Sequence, residues 1–218
     1  MNSALELLVS RPYDGALAPE HQADLDKSGL TDETIRAHFI RSVPPAMLRR
    51  LLGFDVAEIR SAMLFPFRSP AGGFMDHVRV KVFPALVDAR GHTTKYLGPK
   101  GAPPRLYFCA PVLSAVLESD APLWLVEGAK KALAVAQLGL PAVGFEGIEG
   151  WHARGTRELL PDFDAIPLRG RIVELLPDGD WQSNPAVERG VLRLGSALRL
   201  LGARPRIVVL PERLETPS

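Results

Sequence analysis

From Ala121 onward, short apolar runs alternate with stretches of helical spacing, and this alternation constrains the fold more than any other feature of the chain. "PLWLVEG" reads as a short buried strand, "AKKALAVAQLG" as a helix stopped by Gly139 and Pro141, and "PAVGFEG" as a second strand. A helix-like stretch, "ARGTRELLPDF", precedes the strand "RIVELL", which runs on to Asp178. "PAVERGVLRLGSALRLLG" reads as a long helix with Pro185 in its first turn and Gly202 at its end, and "RPRIVVLP" as a last strand. Strands alternating with helices predict parallel β-α-β units with right-handed crossovers.

The text upstream has a different character. Residues 17–60 read as helical, with Gly29 ending one segment, Thr31 capping the next and Pro44-Pro45 breaking the pattern before "AMLRRLLGF". This region is expected to pack by its Leu, Ile and Phe side chains rather than to carry a site. Between 61 and 110, "AMLFPF", "HVRVKVFPAL" and "LYFCA" read as strands separated by the turn "RSPAGGF" and the polar loop "DARGHTTKYLGPKGAPPR". Alternation in "HVRVKVF" sets Val78, Val80 and Val82 on one face and His77, Arg79, Lys81 and Phe83 on the other. The second face reads either as a phosphate-facing surface, extended by Lys95, Lys100 and Arg105, or as a solvated strand face. His77 and His92 read as ordinary surface or hydrogen-bonding histidines. The expected division is a helical segment over 1–60, a small β-rich basic subdomain over 61–120 and an α/β domain over 121–218.

With 218 residues the chain can bury a substantial core, and 26 Lys plus Arg against 25 Asp plus Glu mean that any basic surface is local. The single cysteine, Cys109, excludes a disulfide framework and a Cys-rich zinc ribbon, and reads as a buried structural thiol. No secretory signal pattern and no uninterrupted apolar run approaching ~18 residues is present, so a soluble cytoplasmic protein without a membrane partner is expected.

In open parallel sheets, ligands bind outside the carboxyl ends of the strands. Glu127 ends the first strand of the alternating region and Asp178 the third, with Asp180 two residues on. If those strands are neighbours, the three carboxylates converge at one rim. Hard oxygen ligands facing water suit Mg²⁺ or Mn²⁺, completed by phosphate oxygens. Taken alone, "PDGD" reads equally as a strand-to-helix turn, since Asp-Gly is a favoured turn dipeptide and acidic residues cap helices.

The strand-end "LVEGAKKA" followed by "LLPDGD" resembles the Toprim signature, a strand-end Glu-Gly and a later Asp-x-Asp, shared by bacterial-type primases, topoisomerases and some nucleases. "LDKSGLTDETIRAHFI", "MLFPFRSPAGGFMDHVRVKV" and "TKYLGPKGAPPRLYF" are similar to the segments preceding Toprim in bacterial-type primases. Overall, the chain looks like the Toprim-like domains of phage and plasmid replication proteins, over roughly residues 20–211. The resemblance implies an α/β fold, a Toprim-like parallel sheet flanked by helices and preceded by a small α+β domain.

It also implies roles at matching positions. Glu127 would be a metal ligand or general acid/base, and Asp178 and Asp180 the Asp-x-Asp metal pair for Mg²⁺ or Mn²⁺. Gly128 would allow backbone to approach phosphate at a helix start, and Lys130 and Lys131 would neutralise phosphate. Lys95, Arg79 and Lys81 would contact nucleotide or template backbone; the alternative is a helix-face salt bridge for Lys130 and Lys131 and solvent exposure for Lys95, Arg79 and Lys81. Gln182 stands where some Toprim sites carry another acidic ligand, and no zinc ribbon is present. Trp151 and Trp181 read as packing residues or base-stacking residues.

Three functions follow from the resemblance. The first is metal-dependent, primase-type nucleotidyl transfer on single-stranded DNA, joining ribonucleotides into a primer. The second is a non-catalytic replication module that binds DNA or a partner such as a replicative helicase. A Toprim nuclease, the third, would use the same carboxylates.

Overall fold

The structure, a computed structural model, describes residues 3–14, 17–153, 155–156, 158–179, 181 and 183–210. Two sheets carry it. The first is antiparallel, built in the order β1 (Arg41–Val43), β2 (Ser61–Arg68), β3 (Phe74–Val87), β4 (Thr93–Leu97). The second has the order β5-β7-β6-β8-β9, formed by β5 (Tyr107–Phe108), β6 (Leu123–Glu127), β7 (Ala142–Phe145), β8 (Ile172–Leu176) and β9 (Arg204–Ile207). Strands β6 to β9 are parallel, as the alternation predicts, and β5 pairs antiparallel to β7.

The unbroken apolar run of β2 reflects burial on both faces. Ala62 and Leu64 join Val78, Val80 and Val82 in a core closed by α1 (Ser3–Val9) and α4 (Leu48–Leu52). Met63, Phe65 and Phe67 point the other way, into the main core that continues through the second sheet. Each fully buried Leu or Phe side chain contributes about 1.5–3 kcal/mol, so β2 fastens the two cores together.

The helices start and stop where the sequence provides caps. At α3 (Asp32–Ala37) the Thr31 hydroxyl accepts the Thr34 N–H at 3.2 Å. The long α7 (Pro185–Leu200) has Pro185 at its first position and the Asn184 side chain accepting the Ala186 N–H at 3.1 Å. After α5 (Leu113–Glu118), the buried Arg171 donates to the carbonyls of Ala115, Val116 and Ala121 at 2.6–2.9 Å, satisfying acceptors that the helix end leaves open.

Four expectations are corrected. The N-terminal 60 residues are not wholly helical: Arg41–Val43 pairs with β2, a three-residue strand too short to show a period. The loop carrying Lys-Tyr-Leu is instead β4, because a tight turn from Asp88 to His92 returns Thr93–Leu97 alongside β3. Among the described residues of "ARGTRELLPDF" no α-helix forms: His152 bridges Leu159, and the stretch ends in a 3-10 turn at Pro161–Ala165. Asp162 in that turn is held by Arg105 Nε at 2.9 Å and the Leu106 N–H at 2.8 Å, which outweighs local helical spacing. Finally, the sheets divide between β4 and β5 rather than at residue 120, since β5 belongs to the second sheet.

Candidate functional site

The strand order places a switch point at β6. From β6 the chain crosses through α6 (Ala129–Ala136) to β7 on one side, and from β8 through α7 to β9 on the other. Connections that leave neighbouring parallel strands in opposite directions open a crevice at their carboxyl ends. Val126 pairs with Leu176, so Glu127 and Asp178 stand at that crevice. The Asp178 N–H donates to Glu127 Oε2 at 3.3 Å, and both residues line a cavity of about 530 Å³. Asp180 and Gln182 lie outside the described residues.

Gly128 lies between the strand and α6 with φ 93°, a conformation that a side chain disfavours, and its N–H donates to the Phe145 carbonyl at 2.9 Å. That bond fixes the turn and commits this N–H to the protein rather than to a phosphate. Lys131, in the first turn of α6, forms an ion pair with Asp178, both side chains being about half exposed. Among the described residues, no group of three His, Cys, Asp or Glu side chains is arranged to hold a metal ion. Glu127 and Asp178 nonetheless fit a hard divalent ion in donor chemistry, and the Lys131 ammonium already sits as a cation against one of them.

The opposite wall is the basic face of β3. It faces the second sheet, and it is neither a solvated strand face nor a row of uncommitted cations. Buried His77 donates from Nε2 to Glu146 Oε1, 3.0 Å away, and Arg79 pairs with the other oxygen of the same carboxylate. Of the two readings of His77, the hydrogen-bonding one holds and the surface one does not, because alternation assigns a face to His77 but not what covers that face. Lys81 and Lys130 both bond to Asp24 of α2 (Pro19–Asp26), the latter at 2.8 Å. Burial lowers the Lys81 pKa, an effect that its hydrogen bond to Asp24 opposes. Lys95 is exposed on β4, and it does not line the cavity.

The structure thus gathers Glu127, Gly128, Lys130, Lys131, Asp178 and Arg79 around one crevice, with Lys81 linked to it through Asp24. Asp24, Glu146 and the aromatic lining of Phe65, Phe67, Tyr96, Tyr107 and Phe145 complete the picture. Asp24 carried no sequence signal, since it lies on a short polar helix fifty-odd residues from Lys81. Trp151 is buried, its ring edge-on to His152, and Cys109 is fully buried with its thiol pKa pushed up by desolvation.

This arrangement defines a mixed α/β protein with an acidic rim at a parallel-sheet switch point, facing a basic antiparallel strand. Residues 113–216 match a family model described as a domain of unknown function, DUF3854. No curated protein sequence matches the chain. A solved structure, the crystal structure of the Aquifex aeolicus primase (zinc-binding and RNA polymerase domains), superposes with a TM-score of 0.62 at 15% identity, over 89% of this chain and 50% of that one. The chain therefore has a primase-like core fold and spans half the length of that solved chain. Among the described residues, no helix is long and apolar enough to cross a membrane.

Proposed function

We propose that the protein is a primase-like nucleotidyltransferase of DNA replication, with a Toprim-type site that joins ribonucleotides on single-stranded DNA using Mg²⁺ or Mn²⁺. The observation that carries this reading is the meeting of Glu127 and Asp178 at the switch point of the parallel sheet, opposite the cationic face of β3. Glu127 and Asp178 would hold the divalent ion, with Asp180 as the further Asp-x-Asp ligand that the Toprim resemblance implies. The ion would neutralise charge on the transferring phosphoryl group. Lys130 and Lys131 would bind phosphate oxygens, exchanging their carboxylate partners for those of the substrate. Arg79, Lys81 and Lys95 would contact nucleotide or template backbone, and Gly128 supplies the tight turn that brings α6 to the rim. Catalysis on this reading is mostly positioning and electrostatic stabilisation.

A second reading, a DNA-binding or partner-binding replication module without catalysis, is favoured by one observation. Arg79, Lys81, Lys130 and Lys131 are all paired with carboxylates of the protein itself. A nuclease would use the same rim for hydrolysis.

The test is incubation with single-stranded DNA, labelled ribonucleotides and Mg²⁺ or Mn²⁺, beside Glu127→Gln and Asp178→Asn. Primer synthesis lost in both variants supports the transferase, and strand cleavage lost in both supports the nuclease. DNA binding with no reaction in any of the three proteins contradicts both enzymatic readings.

A further inference from the structure

We propose that Gly98 is a positioning residue: its missing side chain is the seat of the Arg79 guanidinium, and this seat holds Arg79 between two cavities to grip the phosphodiester backbone of a single strand lying in both. The inference rests on the transferase reading for the identity of the ligand as a nucleic acid, and it adds a residue and a cavity that the reading does not use. The second cavity, of about 640 Å³, lies beside the connection from β4 to β5. Arg79, Tyr96, Glu146 and Gly147 line both hollows, whereas Glu127 and Asp178 line only the first. The first alone has the size of a small-molecule site, roughly 300–1,000 Å³. A ligand that fills both is a chain rather than a single nucleotide, and it crosses Arg79. The second cavity's walls are open to it, since Phe54, Pro99, Pro104 and Ile148 are partly exposed and Tyr96 is 36% exposed.

Arg79 is held from two sides. On one, its Nη2 pairs with Glu146, a carboxylate only 8% exposed whose other oxygen is fixed by His77. On the other stands Gly98. The β3–β4 register sets Val80 opposite Leu97, and one step further it brings Gly98 opposite Arg79, on the same face. A Cβ on Gly98 would come within 2.8 Å of Arg79 Nη1 and 3.4 Å of Arg79 Cζ, and the three nearest atoms all belong to Arg79. The φ of Gly98 lies outside the left-handed region, so the guanidinium, and not the backbone, calls for glycine there.

The ligand chemistry follows from what this seat leaves over. The Arg79 side chain is 28% exposed, and among the described residues its Nη1 and Nε donate to no protein group and are not closed to water. A planar guanidinium fixed in place with N–H groups to spare matches the oxygens of a phosphate. Both carboxylates of the second cavity are already paired, Glu146 with Arg79 and His77, and Glu149 with Arg193 and His152, so neither presents an uncompensated charge to an anion.

Fluorescence-anisotropy titration of the full chain with a labelled oligothymidylate over a salt series, beside calorimetric titration with ATP and Mg²⁺, tests this. Gly98→Ala adds one methyl group whose nearest neighbour is the flexible end of an arginine, so the melting temperature should stay close to that of wild type. The substitution should weaken oligothymidylate binding by about three- to ten-fold and ATP binding by less. The slope of log K against log salt should become shallower by about 0.7, the share of one phosphate contact on a single strand. Arg79→Ala should show the same losses, and adding Gly98→Ala to it should cost nothing more, because Gly98 acts only through Arg79. The proposal is overturned if wild type does not bind the oligothymidylate, if Gly98→Ala binds it as wild type does, if Gly98→Ala weakens both ligands alike, or if the two substitutions add. If the oligothymidylate shows the predicted losses while wild type binds no ATP with Mg²⁺, the Gly98 seat stands and the transferase reading fails.

Discussion

The backbone N–H of Asp178 donates to Glu127 Oε2 at 3.3 Å, joining the carboxyl ends of two neighbouring parallel strands. The two carboxylates are fifty-one residues apart in sequence, and only the β6–β8 pairing makes them neighbours. Whatever binds the rim therefore reports on the packing of the sheet as well as on the two side chains.

Lys131 competes for that rim, since its ammonium pairs with Asp178. Replacing it with Met leaves the carboxylate uncompensated, and divalent-ion affinity should rise. The pair is about half exposed, so the gain is modest, about 1.5- to 5-fold. A Mn²⁺ titration of Lys131→Met against wild type measures it. An affinity that falls would show that Lys131 helps to shape the site rather than competing for it.

Asp24 holds Lys81 and Lys130 together, one from each wall. Burial alone would raise its carboxyl pKa, and the hydrogen bonds from Lys130 and Lys81 outweigh that and hold it below the ordinary 3.8. A carboxylate depressed in this way stabilises the fold above its unfolded pKa and loses that contribution as pH falls through the folded value. Asp24→Asn should cost roughly 1–3 kcal/mol at pH 7 in urea unfolding and remove this acid dependence. It should also tighten binding of polyanions, because two lysines lose their internal counter-ion. Weaker polyanion binding would show that Asp24 orients the lysines for phosphate instead of occupying them.

His38 links the first helices to the second sheet. Its Nδ1 lies 2.8 Å from the Thr34 carbonyl and its Nε2 3.0 Å from the Ala110 N–H, so the neutral tautomer with the proton on Nδ1 satisfies both. Burial lowers its pKa from 6.5 to about 4, against the opposing Thr34 hydrogen bond and aided by Arg68. Between those values the unfolded chain binds a proton that the folded chain does not, so stability falls as pH drops from 6.5 towards 4 and the loss saturates below. The full effect is about 3 kcal/mol. Unfolding curves from pH 7 to 4.5 should show this slope in wild type and lose most of it in His38→Gln, with the residue from His21, whose pKa burial also lowers.

Gly128 tests the turn that delivers α6 to the rim. An added Cβ would meet only Lys131 Cε at 3.7 Å, an ordinary contact, so space does not forbid alanine there. The φ of 93° does, and Gly128→Ala should destabilise the protein by roughly 1–3 kcal/mol. Chemical denaturation measures the loss, and an unchanged midpoint would mean the turn tolerates another conformation.

Much of this was legible in the sequence because it depends on local periods. The strands ending at Glu127 and before Asp178, the Pro185 start of α7 and the Val78-Val80-Val82 face all follow from spacing within a few residues. What was not legible depends on pairing across long separations. The alternation in β3 assigned His77 and Arg79 to a polar face, but only the approach of Glu146 determines that this face is an interior wall. Arg41–Val43 is a strand because β2 offers an edge, and the described residues of "ARGTRELLPDF" form no α-helix because Arg105 and Leu106 capture Asp162.

The central claim, that Glu127 and Asp178 act as one divalent-ion site, is tested most directly by Mn²⁺ binding, read from the paramagnetic resonance signal of free Mn²⁺ with nucleotide present. Wild type, Glu127→Gln, Asp178→Asn and the double variant form a cycle. The account predicts that either single substitution removes most of the binding and that the double variant loses little more, because the two carboxylates share an ion. Equal binding by all four proteins, or losses that simply add, would contradict it.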